Sequence, residues 1–248
     1  MAASHRHNMG LYALIWLAFN AIAAVAFDVP LNYSLITPPT SSADEKAASS
    51  CCDELSSALE DDKFTSDSWS LSFISSREYY NTNLDKDKPK CITYPHNADD
   101  VSLILKKIKK TGAKFAIKAG GHNANYGFSS INQGVLIDLK KMTKKSYDSK
   151  STLATYEPGN KFGDVYEFLA PYNRTVVGAR LGGVGTGLAL SGGLSYLSAQ
   201  YGLACDSFRE LEIVLPSGKI VNASEHENPD LFFALRGGGG NPQCGPPV

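Results

Sequence analysis

Residues 114–130 read KFAIKAGGHNANYGFSS. A short apolar run, Phe115 to Ile117, gives way to Gly120 and Gly121, and His122 follows at once, ahead of small polar residues. The pattern predicts a strand that ends in a tight loop with a titratable ring at its mouth. Adjacent glycines let the backbone pass close to a ligand, and a neutral imidazole at that point is a competent nucleophile. A loop histidine without a role is the other reading of these residues taken alone.

Downstream of this loop, GVLIDL (Gly134 to Leu139) and TLATYEPG read as strands, and KFGDVYEFLAPY as a helix with Phe162, Val165, Tyr166 and Leu169 inward. RTVVG is extended, a glycine-rich loop leads to a helix from Gly193 to Gln200, and FRELEIVLPSGKIVNAS is a hairpin over Ser217-Gly218. In NPDLFFALRGGGG, Pro229 suits the first helical turn and Gly237 the end. Upstream, Asn97 caps a helix whose first turn carries Asp99 and Asp100. Its apolar face is Val101, Ile104, Leu105 and Ile108, and Gly112 stops it. CCDELSSALEDD reads as one short helix and SWSLSFISSREYY as extended, while residues 27–50, rich in Pro, Ser and Ala, read as a flexible lead-in. Short mixed elements of this kind predict an α+β fold rather than a strict βαβ repeat.

The chain has 248 residues, 43% of them hydrophobic, and a formal net charge of -1, so nothing in the charge points to nucleic acid or an anionic membrane. The uncharged run Leu11 to Ala26 is too short to span a bilayer and ends in Ala24-Val25-Ala26, the pattern of a cleaved secretory signal at residues 1–26. Secretion makes disulfides expected among the five cysteines. Either Cys51 or Cys52 pairs with Cys91, and the odd count leaves at least one cysteine unpaired within the chain. Asn32, Asn173 and Asn222 begin glycosylation sequons.

Several chemistries fail on spacing. The loop GARLGGVGTGLALSGG (Gly178 to Gly193) completes no GxGxxG, and the chain has no GxxxxGK[ST] phosphate loop, zinc-type Cys/His spacing or GxSxG nucleophile elbow. Two glycine loops, each after an extended segment, still present backbone N–H groups suited to a pyrophosphate.

From Cys91 onward the chain resembles the flavoproteins with an FAD-binding domain of the vanillyl-alcohol oxidase / p-cresol methylhydroxylase (PCMH) type. Within them it is most similar to the secreted berberine-bridge-enzyme-like oxidases common in fungi. The blocks that carry the likeness are AIKAGGHNANYGFSSINQGVLIDL, EPGNKFGDVYEFL, the long run from RTVVGARLGGVG to GKIVNAS, and NPDLFFALRGGGGN, in family order. The resemblance implies two α+β subdomains, with a segment at 51–86, the FAD-binding domain at 87–222 and the start of a further region at 223–248. It implies that His122 bonds covalently to the 8α-methyl of FAD, with Gly120, Gly121, Asn123 and Ser129 along the pyrophosphate. Gly182, Gly183, Gly185 and Gly187 take the other side of the cofactor, and Val221 the adenine side. Leu181 stands where some members carry a second, cysteinyl link, so one covalent bond is expected. Lys118 stands where an arginine is frequent, and VGTGLALSGG departs from the usual VGxGG loop. The family continues beyond RGGGGN into a substrate-binding sheet, whereas this chain runs on as PQCGPPV and reads as truncated. The catalytic base is therefore expected outside it.

The implied activity is a secreted oxidase. It would pass hydride from a small-molecule or oligosaccharide alcohol or amine to FAD, with dioxygen as acceptor, and without nucleic acid, metal or membrane as partner. A fragment that binds FAD weakly and turns over nothing is the rival expectation.

Overall fold

A computed structural model describes residues 41–239 of the chain. The signal segment, Asn32, Cys244 and the PQCGPPV run lie outside the described residues.

The first helix, α1 (Ser42–Ser56), begins inside the stretch expected to be a flexible lead-in. Ser41 caps it through a reciprocal pair: its Oγ accepts from the Asp44 N–H, and the Asp44 carboxylate accepts from the Ser41 N–H. The buried residues Ala48, Cys51, Cys52 and Leu55 follow helical spacing. The stripe opens on an alanine, too small to register as an apolar signal.

The main sheet has the order β1-β2-β4-β3, built from β1 (Phe64–Thr65), β2 (Cys91–Thr93), β3 (Phe115–Lys118) and β4 (Val135–Asp138). β2 and β3 both run parallel to β4, while β1 is antiparallel to β2. With a parallel neighbour on each side and packing on both faces, β4 is buried throughout, which is why VLID carries no polar alternation. Side chains alternate across this sheet. Cys91, Val135 and Ile137 face one core with Leu55 of α1 and with Ile104 and Ile108 of α3 (Ala98–Thr111). Ile92, Ala116 and Leu136 face the other, with Tyr94 and with Phe73 of α2 (Leu71–Ser76). The residues of α2 were expected to be extended. Instead Ser70 Oγ accepts from the Phe73 N–H and starts a six-residue helix, too short to show a period.

α3 matches its sequence signals: the Asn97 side chain accepts from the Asp100 N–H, and Gly112 ends the helix. A disulfide joins Cys52 to Cys91 and so ties α1 to the sheet, while Cys51 stays a free, buried thiol.

Two antiparallel hairpins follow, β5 (Lys145–Asp148) with β6 (Leu153–Tyr156) and β7 (Glu210–Val214) with β8 (Ile220–Ser224). Between them α4 (Phe162–Leu169) buries Phe162, Val165 and Leu169. Tyr166 is only half-buried and donates its hydroxyl to the Ala179 carbonyl. Phe162 anchors a third core with Val177, Ala179, Ala189 and Ala204, beneath the second glycine loop.

The helix expected over Gly193–Gln200 is reduced to α5 (Ser198–Tyr201). The carbonyls of Gly192 and Gly193 instead accept from the N–H groups of Cys205 and Ala204, which holds the start of that stretch out of a helix. RTVVG, expected to be extended, is assigned to no strand. The last helix, α6 (Pro229–Leu235), has proline in its first turn.

Candidate cofactor cleft

The C-terminal ends of parallel strands are where open α/β sheets place ligands. Here β3 ends at Lys118 and β4 at Asp138, side by side in register. Both line a cleft of about 540 Å³, within the range of small-molecule and cofactor sites. Ala119, Gly120 and His122 of the first loop form one wall, and Leu181 and Gly183 of the second loop face them. Tyr79 and Tyr80 close one side, and Lys140 and Lys161 add two further cations.

What joins the loops is main chain against main chain. A Cβ on Gly120 would sit 2.4 Å from the Gly185 nitrogen and 2.5 Å from its Cα, and a Cβ on Gly185 would meet Gly120 at 2.4 Å. No side chain fits there. The second loop is also pinned to the start of α4: Phe162 N–H donates to Val184 O and Gly163 N–H to Gly182 O, each at 2.9 Å.

The floor of the cleft is charged. Lys118 is buried, and its Nζ donates to the carbonyls of Ser76 and Glu78 at 2.7 Å each, beneath the Tyr79 ring. Burial pulls its pKa below the usual lysine value, while the Asp138 charge works in the opposite direction. Asp138 is 1% exposed. Its Oδ1 accepts from the Lys140 N–H at 3.1 Å, and its Oδ2 lies 3.8 Å from Lys140 Nζ with no hydrogen-bond partner. Burial also pushes the Tyr79 hydroxyl well above the ordinary phenol value, with the Asp138 charge adding to the effect.

Of the residues singled out in the sequence, Gly120, His122 and Gly183 line the cleft, together with Lys118 and Leu181. Gly185 holds the loops together behind it, and Gly121, at φ +65°, packs over the Lys118 side chain. Gly182 packs against Gly163 rather than facing the cleft, and Gly187 lies in a 3-10 turn. Asn123 is exposed, its side chain turned to the Asn125 N–H. Ser129 is buried with no partner for its hydroxyl, and Val221 sits in β8 opposite Ile213. Neither is among the lining residues. Sequence reasoning did not place Tyr79, Tyr80, Asp138 or Lys140 at the site. One signal was present: Lys118 shares the parity of Ala116, the inward side of β3, and a charge on an inward position points to a site.

A family model described as FAD binding domain matches residues 89–224. This chain belongs to that FAD-binding family. It is 47% identical over 154 residues to an FAD-dependent monooxygenase of Arthrobotrys oligospora, covering 62% of this chain and 30% of that protein. A second FAD-dependent monooxygenase, from Aspergillus calidoustus, is 36% identical over 201 residues, covering 79% and 38%. Among solved structures, the glucooligosaccharide oxidase of Acremonium strictum superposes with a TM-score of 0.68 at 30% identity, covering 77% of this chain and 40% of that one. The 6-hydroxy-D-nicotine oxidase of Arthrobacter nicotinovorans gives 0.67 at 27%, covering 71% and 38%. The chain thus spans 30% to 38% of the length of these two relatives and shares the mixed α and β fold of FAD-linked oxidases.

Proposed function

We propose that this chain is the cofactor-binding part of an FAD-linked oxidoreductase, with FAD in the cleft between the two glycine loops and His122 as its single covalent tether. The observation that carries the reading is the contact of Gly120 with Gly185, which sets His122 and Leu181 on the walls of one cleft. The residues present fit the cofactor. Lys118, Lys140 and Lys161 complement a pyrophosphate, and Asp138 Oδ2 is an acceptor still lacking a donor, suited to a ligand rich in hydroxyl groups. Bound there, FAD would supply the hydride acceptor.

The chain's own contribution is to hold and orient. The paired loops form facing walls with room for a cofactor between them, the lysines balance its charge, and His122 anchors it. The glucooligosaccharide oxidase of A. strictum carries a 6-S-cysteinyl, 8α-N1-histidyl FAD. His122 is the residue we assign to the histidyl bond, and Leu181, exposed in the cleft, offers no thiol for a second. Oligosaccharide oxidases among the neighbours support a carbohydrate or small-molecule alcohol or amine as hydride donor, with dioxygen as acceptor. Secretion belongs to the same proposal, with a glycan on Asn173, which is exposed at the turn after α4.

The test is mass spectrometry of the secreted chain after denaturation and precipitation. The peptide containing His122 is expected to carry the mass of FAD, and His122→Ala to carry none. An unmodified peptide from wild-type chain saturated with FAD overturns the tether.

A further inference from the structure

We propose that Tyr80 is a positioning residue for His122, holding the imidazole in a fixed orientation at the cleft wall; the proposal rests on the reading of His122 as the cofactor tether. The two rings are stacked, with centroids 3.9 Å apart and planes inclined by 14°. Tyr80 is 69% exposed, so its ring is not held by the core. Among the described residues no hydrogen bond reaches the imidazole nitrogens, and the stack on Tyr80 is the ring contact that His122 makes.

The segment carrying Tyr80 is hung from the histidine loop at several points. Tyr80 N–H donates to Gly121 O at 3.1 Å, and Asn81 Nδ2 donates to Ala124 O at 3.0 Å. Tyr79 donates its hydroxyl to Ser129 O at 2.9 Å. Lys118, four residues before His122, reaches back to the carbonyls of Ser76 and Glu78. Residues 76–81 and 118–124 therefore form one clamped unit, and within it Tyr80 and His122 are the two rings that stack on each other at the cleft. The chemistry benefits from such a device. An imidazole nitrogen attacks along its in-plane lone pair, so a ring free to rotate spends only part of its time aligned. A flat aromatic partner restrains the tilt of the ring plane without occupying either nitrogen.

The test compares wild type, Tyr80→Phe and Tyr80→Leu in the full chain. With histidine labelled for NMR, the His122 ring protons are expected to be displaced upfield in wild type and in Tyr80→Phe, and to return to ordinary positions in Tyr80→Leu. This readout needs no flavin. The second readout is the rate of covalent attachment at saturating FAD. Tyr80→Phe is expected to match wild type and Tyr80→Leu to be slower by about 3- to 10-fold, the range a stacked aromatic pair supplies. Undisplaced ring protons in wild type overturn the proposal, and so does attachment in Tyr80→Leu at the wild-type rate. Displaced protons with no attachment in any variant overturn the tether while upholding Tyr80 as the residue that holds the ring.

Discussion

Gly120→Ala places one methyl group where the two loop backbones touch. Its Cβ would lie 2.4 Å from the Gly185 nitrogen, and ordinary contact begins at 3.4 Å, so the loops must part by about 1 Å. The obstructing atoms are main chain and cannot swing away as a long side chain does. Overpacking of this kind costs about 1–3 kcal/mol. For a domain of this size, about 2 kcal/mol lowers the melting temperature by about 4–8 °C. Gly185→Ala strains the same contact from the other side and is expected to cost a similar amount. Since one separation of the loops relieves both methyl groups, the double variant should cost less than the two singles added. Gly187→Ala is the control: no atom lies within 4 Å of its Cβ position, and its stability should stay within about 0.5 kcal/mol of wild type. Thermal melts of wild type and the four variants, with the flavin content of each, decide the matter. Full stability and full flavin content in Gly120→Ala, or a loss in Gly187→Ala as large as in Gly120→Ala, would refute the account of the loop contact.

Other expected outcomes rest on separate features. The Cys52–Cys91 bond spans 39 residues of sequence, and loop-closure entropy assigns about 4 kcal/mol to a loop of that length. Cys52→Ala should lose an amount of that order in urea titrations, whereas non-reducing peptide mapping of Cys51→Ala should still find Cys52 bonded to Cys91. Phe162 is fully buried under the second loop, so Phe162→Ala is expected to cost about 3–5 kcal/mol and to lower the fraction of chain that acquires flavin, checked by denaturation and by absorbance of the purified protein. Tyr79 keeps its proton in the folded state above the ordinary phenol value of 10.0. Its contribution is thus complete below pH 10 and is lost as the pH climbs beyond it, because the unfolded phenol ionises first. Tyr79→Phe should flatten the fall in urea midpoint between about pH 9 and about pH 11, and an unchanged slope would rule out this titration.

The parts of the fold legible in the sequence are those whose signals are local. Asn97, the apolar face of α3 and Gly112 define one helix completely, and Ser217-Gly218 between two apolar runs defines the β7–β8 hairpin. α2 and the start of the helix at Ser198–Tyr201 were not legible, because the first is a single capped turn-and-a-half and the second is shortened by hydrogen bonds from Ala204 and Cys205. In the cleft, the glycine loops and His122 stood out because their residue types are unusual for a strand end. Tyr80 did not, because nothing in SWSLSFISSREYY points to a contact 42 residues away. Some of the glycines expected along the cofactor also meet the chain's own backbone. Gly182 meets Gly163, and Gly185 meets Gly120, so a glycine-rich string marks close approach without saying what approaches.

A joint made only of backbone atoms is indifferent to which side chains surround it. Tyr80, Leu181, Lys140 and Lys161 can all be exchanged during divergence without shifting the two loops, since none of them supplies the contact at Gly120 and Gly185. The frame of the cleft and its lining are thereby separable traits. Selection can try new linings one residue at a time on a wall that stays put, provided two hydrogen atoms, one on each glycine, are never replaced.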